Sequence, residues 1–218
     1  MAPLNRPVGR PPRISVDDIE RAGVRLGLNG LTVQAVAADL GVSPAALYRH
    51  VGSKFGLETA VGERILADLQ LIDSPQHDIG EHLLSSAQQL RAFLLDHPGL
   101  AAYVQVLFPR GPVGEALLTA EMAALTRRGC TAEAAMMACT TVALIVISVA
   151  AAEEKRRDLC TQIPGIESLR RESLAAYVER GLSSPGMDAD AYFSYVIASC
   201  LNGILHFAGV KASNGQAE

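Results

Sequence analysis

Residues 31–54 read LTVQAVAADLGVSPAALYRHVGSK, an order that two short helices and a tight turn explain. Thr32 is placed to cap the first helix. Val33, Val36, Ala37 and Leu40 then fall at i, i+3, i+4 and i+7, one apolar face. Gly41 follows where a left-handed residue ends a helix at no steric cost. Ser43 is the next N-cap, and Pro44 occupies the first helical position, where no N–H is needed. The spacing predicts a helix-turn-helix.

The second helix is expected over about residues 44–51. Leu47 and Val51 are four apart and share the buried face. Ala45, Tyr48 and Arg49 then point the other way, at about 100° per residue, and His50 lies to one side. Such a face fits a DNA major groove. Arginine grips a guanine edge or a phosphate, tyrosine reaches a phosphate or base, and alanine touches a thymine methyl. Ser53 is placed to cap a further helix, with Lys54 in its first turn. The helix dipole disfavours a cation there, unless a phosphate arrives at the same helix N-terminus.

The stretch GLNGLTVQAVAADLGVSPAALYRHVGSKFGL resembles the N-terminal DNA-binding domain of TetR-type transcriptional repressors, over about residues 13–70. Its most specific part is Leu47-Tyr48-Arg49-His50-Val51 with Lys54 three residues on. The resemblance implies DNA contacts, mostly to the backbone, by Tyr48, His50 and Lys54, and a phosphate contact by Thr32. Arg49 holds a position that varies in the family, so its role as a base reader rests on geometry alone. Ser43, Ala45 and Arg13 complete the expected DNA-contacting set.

The chain has 218 residues, enough for one or two domains with a real core. Apolar residues make up 49% and charged residues 19%, a globular balance. Aromatics are few and alanines many, which favours an all-α fold. The net charge is −4, unevenly spread. Residues 1–70 carry eight Lys/Arg against seven Asp/Glu, and the remainder eleven against sixteen. Any pull on DNA therefore comes from a local patch. The four cysteines form no CxxC or Cys/His cluster, so no metal is expected, and the simplest reading is reduced, mostly buried thiols in a cytoplasmic protein. The start, MAPLNRPVGRPPR, has no apolar stretch of a secretion signal.

Residues 1–12 read as a flexible basic arm, able to reach phosphates or a minor groove. The DNA-binding domain is expected over 13–72. Ser15 and Asp18 suggest a capping box, Ile19, Ala22 and Leu26 an inner face, and Gly30 a helix end. A fourth helix begins near Ser53, with Leu57, Val61, Ile65, Leu69 and Ile72 as a long stripe. The loop DSPQHD, residues 73–78, marks the boundary of a larger helical domain over 73–218. Helices are expected near 79–96, 100–108, 113–128, 131–155, 166–180 and from about 189. Residues 134–152 contain no charge, long enough to span a bilayer, but their Ala, Thr and Ser content and the EEKRRD that follows favour a central core helix. The segments around 131–155 and 189–209 are too apolar to stay exposed and are expected to pair with their copies in a homodimer.

No GxSxG, HExxH, phosphate-binding glycine loop or dinucleotide fingerprint is present, and His77, His82, His97 and His206 lack ligand spacing. No enzyme, cofactor or metal is expected. The larger domain, by the resemblance, holds a small hydrophobic effector. Candidate lining residues are Phe93, Tyr103, Leu107, Phe108, Leu117, Met122, Met136 and Met137. The function so implied is a repressor released from a palindromic operator by that effector. The alternatives are a ligand-independent activator or architectural DNA binder, and a helical enzyme.

Overall fold

The computed structural model describes residues 14–107, 111–163, 165, 168, 172 and 189–207. Among them every regular element is helical, as the composition suggests. The chain forms two compact units, residues 1–61 and 62–218.

The first unit begins with α1, Val16–Leu26. The Ser15 hydroxyl accepts from the Asp18 N–H, and the Asp18 carboxylate accepts from the Ser15 N–H, a complete capping box. The Ser15 hydroxyl, then its N–H, then Arg21 hold the Asp18 carboxyl down at about 2. The helix stops at Gly27 (φ 71°), three residues before the predicted stop at Gly30, because residues 28–30 tighten into a 3-10 turn. Helices α2, Val33–Asp39, and α3, Pro44–Val51, pack on α1 and on each other. Arg25 of α1 pairs with Asp39 of α2 at 2.5 Å. Helix α4, Lys54–Leu66, begins in this unit and supplies the buried Leu57 and Val61. A Cβ on Gly23 would stand 2.2 Å from a Val61 methyl, so α1 and α4 meet where α1 has no side chain.

The stripe predicted to carry α4 to Ile72 is cut short. The helix ends at Leu66. Leu69 stays buried after a last tight turn, but Ile72 is exposed. Here the backbone of Ile72 is held from both sides by the Gln89 side-chain amide, which donates to its carbonyl and accepts from its N–H.

In the second unit, α5 (Ile79–Asp96), α6 (Leu100–Leu107), α7 (Pro112–Arg127) and α9 (Ala189–Phe207) all pack against α8, Ala132–Gln162. Helix α8 is long and apolar enough to cross a membrane by length and composition. Its buried side, which includes Ala135, Ala138, Val146, Ile147 and Ala150, serves the centre of this unit. It runs through EEKRRD to Gln162, past the predicted end near 155, since the Glu, Lys and Arg of that run are good helix formers. The expected helix over 166–180 and the expected cap at Asp188 lie outside the described residues. All four cysteines are free. Cys130 and Cys139 are buried, Cys200 is half-buried, and Cys160 is exposed, against the expectation of mostly buried thiols.

Asp73 anchors the loop before α5. Its carboxylate takes Arg128, and Arg127 at 3.0 Å, while Arg128 also donates to the carbonyls of His77 and Ser74. The Arg128 bond, then Arg127, hold the Asp73 carboxyl down at about 2 against the opposing effect of burial. A carboxyl depressed below its unfolded value of ~3.9 stabilises the fold above that pH and loses the contribution as pH falls towards about 2. Urea midpoints should therefore drop between about pH 4.5 and pH 2.5. Asp73→Asn should be less stable at neutral pH and show a shallower drop. Parallel profiles for the two proteins would refute the role of this clamp.

Candidate nucleic-acid interface and helical cavity

The turn between α2 and α3 is closed at both ends. Thr32 Oγ1 accepts from the Ala35 N–H at 3.0 Å, starting α2. At the other end the Val42 N–H reaches the Ala37 carbonyl at 2.9 Å and the Gly41 N–H reaches Ala38 at 3.2 Å. That is a Schellman closure, and it needs the positive φ of 65° that Gly41 adopts. Ser43 Oγ then accepts from the Ala46 N–H at 3.2 Å, and Pro44 opens α3. At its end, the Gly52 N–H donates to the Tyr48 carbonyl at 2.8 Å, with φ 70° at Gly52.

Helix α3 therefore has two distinct faces. Leu47 is 0% exposed and Val51 half-buried, while Ser43, Ala45, Tyr48, Arg49 and His50 are all exposed. Ser53 caps α4 through the Gly56 N–H at 3.0 Å, leaving Lys54 exposed in the first turn, 3.3 Å from Glu58. The exposed surface thus combines the N-terminus of α2 at Thr32, the outer face of α3 and the N-terminus of α4 at Lys54. Phe55, exposed beside Lys54, was not among the expected residues. The signal for it is its place off the Leu57–Val61–Ile65 stripe. Arg13 and the basic arm lie outside the described residues.

The second unit holds a partly open cavity of about 90 Å³ between the end of α4, the following segment, and α5 to α8. Leu66, Leu69, Leu94, Val104, Leu117 and Val142 are among its lining residues. Of the six expected lining residues whose side chains are described, Leu117 lines it and the other five do not. Phe93 stacks instead on His97, with ring centroids 4.2 Å apart. The Tyr103 ring covers the backbone of Gly62, where a Cβ would stand 2.3 Å from it. Met122 is half-buried elsewhere, and Met136 and Met137 are exposed. The side chains of Leu107 and Phe108 lie outside the described residues.

The polar part of the wall is small. Ser86 on α5, Glu121 on α7 and Cys139 on α8 interrupt an otherwise hydrocarbon lining. Behind it sits His82, which is 1% exposed. Its Nε2 is 3.1 Å from Glu121 and its Nδ1 3.2 Å from Asp73, though neither contact is aligned as a hydrogen bond. Burial, then Glu121 and Cys130, pushes the Cys139 thiol up to about 12, so it stays protonated and unreactive at neutral pH.

Residues 20–61 match the family model of bacterial regulatory proteins, tetR family. Among curated proteins none matches this chain. Solved structures share its fold. One is the Streptomyces coelicolor TetR family protein ActR in complex with actinorhodin, at TM-score 0.75 and 23% identity, covering 90% of this chain and 99% of that one. A putative transcriptional regulator from Streptomyces coelicolor A3(2) is 25% identical at TM-score 0.67, covering 92% and 100%. A TetR variant from Acinetobacter baumannii AYE in complex with minocycline is 19% identical at TM-score 0.66, covering 89% and 98%.

Proposed function

We infer a TetR-family regulator, from the family match over residues 20–61 and the shared fold, that acts as a homodimeric, cytoplasmic repressor released from a palindromic operator by a small hydrophobic molecule. The observation that carries this reading is the division of α3 into a buried Leu47 side and an outer face of Ser43, Ala45, Tyr48, Arg49 and His50. In a major groove, Arg49 reads a base edge and Ala45 meets a thymine methyl. Tyr48, His50, Thr32 and Lys54 take phosphates, helped by the helix N-termini behind Thr32 and Lys54. Arg13 and the arm add backbone contacts.

Two subunits are needed to read a palindrome. Support for pairing comes from α8 and α9, which turn apolar and small residues outward: Met137, Leu144 and Ser148 on one, Tyr192, Tyr195 and Ser199 on the other. These lie within the predicted segments 131–155 and 189–209.

Effector release is supported by where α4 ends. Leu66 lines the cavity, Gly62 lies under Tyr103 of α6, and Glu63 accepts the Val113 N–H at the start of α7 at 3.0 Å. The cavity is smaller than the ~300–1,000 Å³ of typical ligand pockets. An effector of that size must spread these helices, and α6 and α7 hold α4. A conformation that binds effector 100-fold better than the DNA-competent one supplies about 2.7 kcal/mol of coupling.

The test is selection of genomic fragments from the source organism by the purified protein at about 150 mM salt, where non-specific binding is weak. A shared palindrome is the expected result. Tyr48→Ala should then bind the recovered site about tenfold or more weakly, with an unchanged melting temperature. Retention of no specific fragment by protein stripped of ligand would refute the reading. Unchanged affinity of Tyr48→Ala would refute the face assignment.

A further inference from the structure

The second unit holds buried polar groups that its own packing does not satisfy. Ser86 is 7% exposed, lines the cavity, and its hydroxyl has no hydrogen-bond partner. His82 lies one turn earlier on the same face of α5, 1% exposed, with both ring nitrogens short of a hydrogen bond. Ser86 on α5 and Glu121 on α7 both line the cavity, and Glu121 also faces His82, the i−4 neighbour of Ser86 on α5. An unsatisfied buried polar group costs stability, and one on a cavity wall points to a partner that completes it.

Glu121 is the one acidic side chain among the lining residues. Asp73 is neutralised by Arg127 and Arg128. Among the described residues Glu121 has no arginine or lysine partner, only the edge of His82. A carboxylate accepts hydrogen bonds and donates none. Its field in an apolar wall repels anions and attracts cations more strongly than it would in water. The rest of the wall offers a bound molecule only hydrocarbon and the weakly donating Cys139 thiol.

We propose that this cavity selects an apolar small molecule carrying one amine, whose ammonium N–H groups are taken by the Glu121 carboxylate and the Ser86 hydroxyl. This rests on the reading of the second unit as an effector domain and names the chemistry of its effector. Carboxylate-bearing molecules of the same shape are excluded by Glu121.

Four probes with one ring body separate the possibilities: toluene, benzyl alcohol, benzylamine and benzoate, titrated into the full chain by calorimetry. A charge-assisted hydrogen bond predicts benzylamine binding about tenfold or more tighter than toluene, with benzyl alcohol between them and benzoate weakest. In Glu121→Gln the ratio of benzylamine to toluene affinity should collapse towards one. In Ser86→Ala it should fall by a few-fold. The order of the four probes on the unaltered protein needs no variant to fold. Benzoate binding as well as benzylamine, or a ratio unchanged in Glu121→Gln, overturns the amine proposal and leaves the effector domain standing. Failure of all four, toluene included, overturns the effector reading and this proposal together.

Discussion

Glu153→Ala is expected to destabilise the second unit by about 3 kcal/mol, because it strands a buried arginine. Glu153 on α8 is 5% exposed and accepts two hydrogen bonds from Arg91 of α5, at 3.2 and 2.9 Å. The Arg91 side chain is itself only 12% exposed and stands 4.7 Å over the ring of Phe193 on α9. Three helices therefore meet at one guanidinium. Removing the carboxylate leaves that cation in a poor solvent, and this penalty, rather than the intrinsic strength of the pair, sets the size of the effect. Asp190 remains at 2.8 Å, but its side chain is 85% exposed and solvated, so it compensates weakly. The same logic gives the reverse case. The double variant Arg91→Met with Glu153→Leu removes both charges, keeps their volume, and should recover most of the loss. Urea unfolding of the single and double variants measures it. A double variant as unstable as the sum of its singles would refute the account, since neighbours that share one interaction are not additive.

The helix-turn-helix was legible because each of its parts is a local decision. Ser15, Thr32 and Ser43 cap as their positions predict, and Gly41 takes the left-handed conformation that the turn requires. Buried and outward positions on α3 follow from its period alone. The cavity was not legible in this way. Aromatic and methionine residues were expected to line it, yet its wall is mostly leucine, valine and alanine. Helix α8 shows why. It is apolar on every side, so its period does not say which side faces in. The answer came from size: Ala134, Ala135 and Ala138 face inward, where their small side chains let neighbouring helices approach, and this turns Met136 and Met137 outward. Ile72 failed for a related reason, since the side chain that holds its backbone, Gln89, lies far along the sequence. His82 looked like one histidine among several. Only the fold brings Asp73 and Glu121 to its two nitrogens.

Leu47→Ala should abolish DNA binding by a different route from its neighbour Tyr48. Leu47 is 0% exposed and is the one fully buried residue of α3, which otherwise offers the core only half-buried residues such as Ala46 and Val51. Truncating a buried leucine costs about 2–5 kcal/mol, the upper part of that range where the surroundings cannot collapse. The caps at both ends of α3 restrict such collapse. A unit of this size has a small core and little stability to lose. Amides of α1 to α3 should therefore lose protection from hydrogen exchange in Leu47→Ala, while those of α5 to α8 keep theirs. Tyr48→Ala, one residue on and facing outward, should leave all of them protected and lose affinity only. Two adjacent substitutions on opposite faces of one helix thus separate folding of the reading head from its contact with DNA. Full protection and full affinity in Leu47→Ala would mean that α3 is held by something other than its buried face, and the proposed outer face would fall with it.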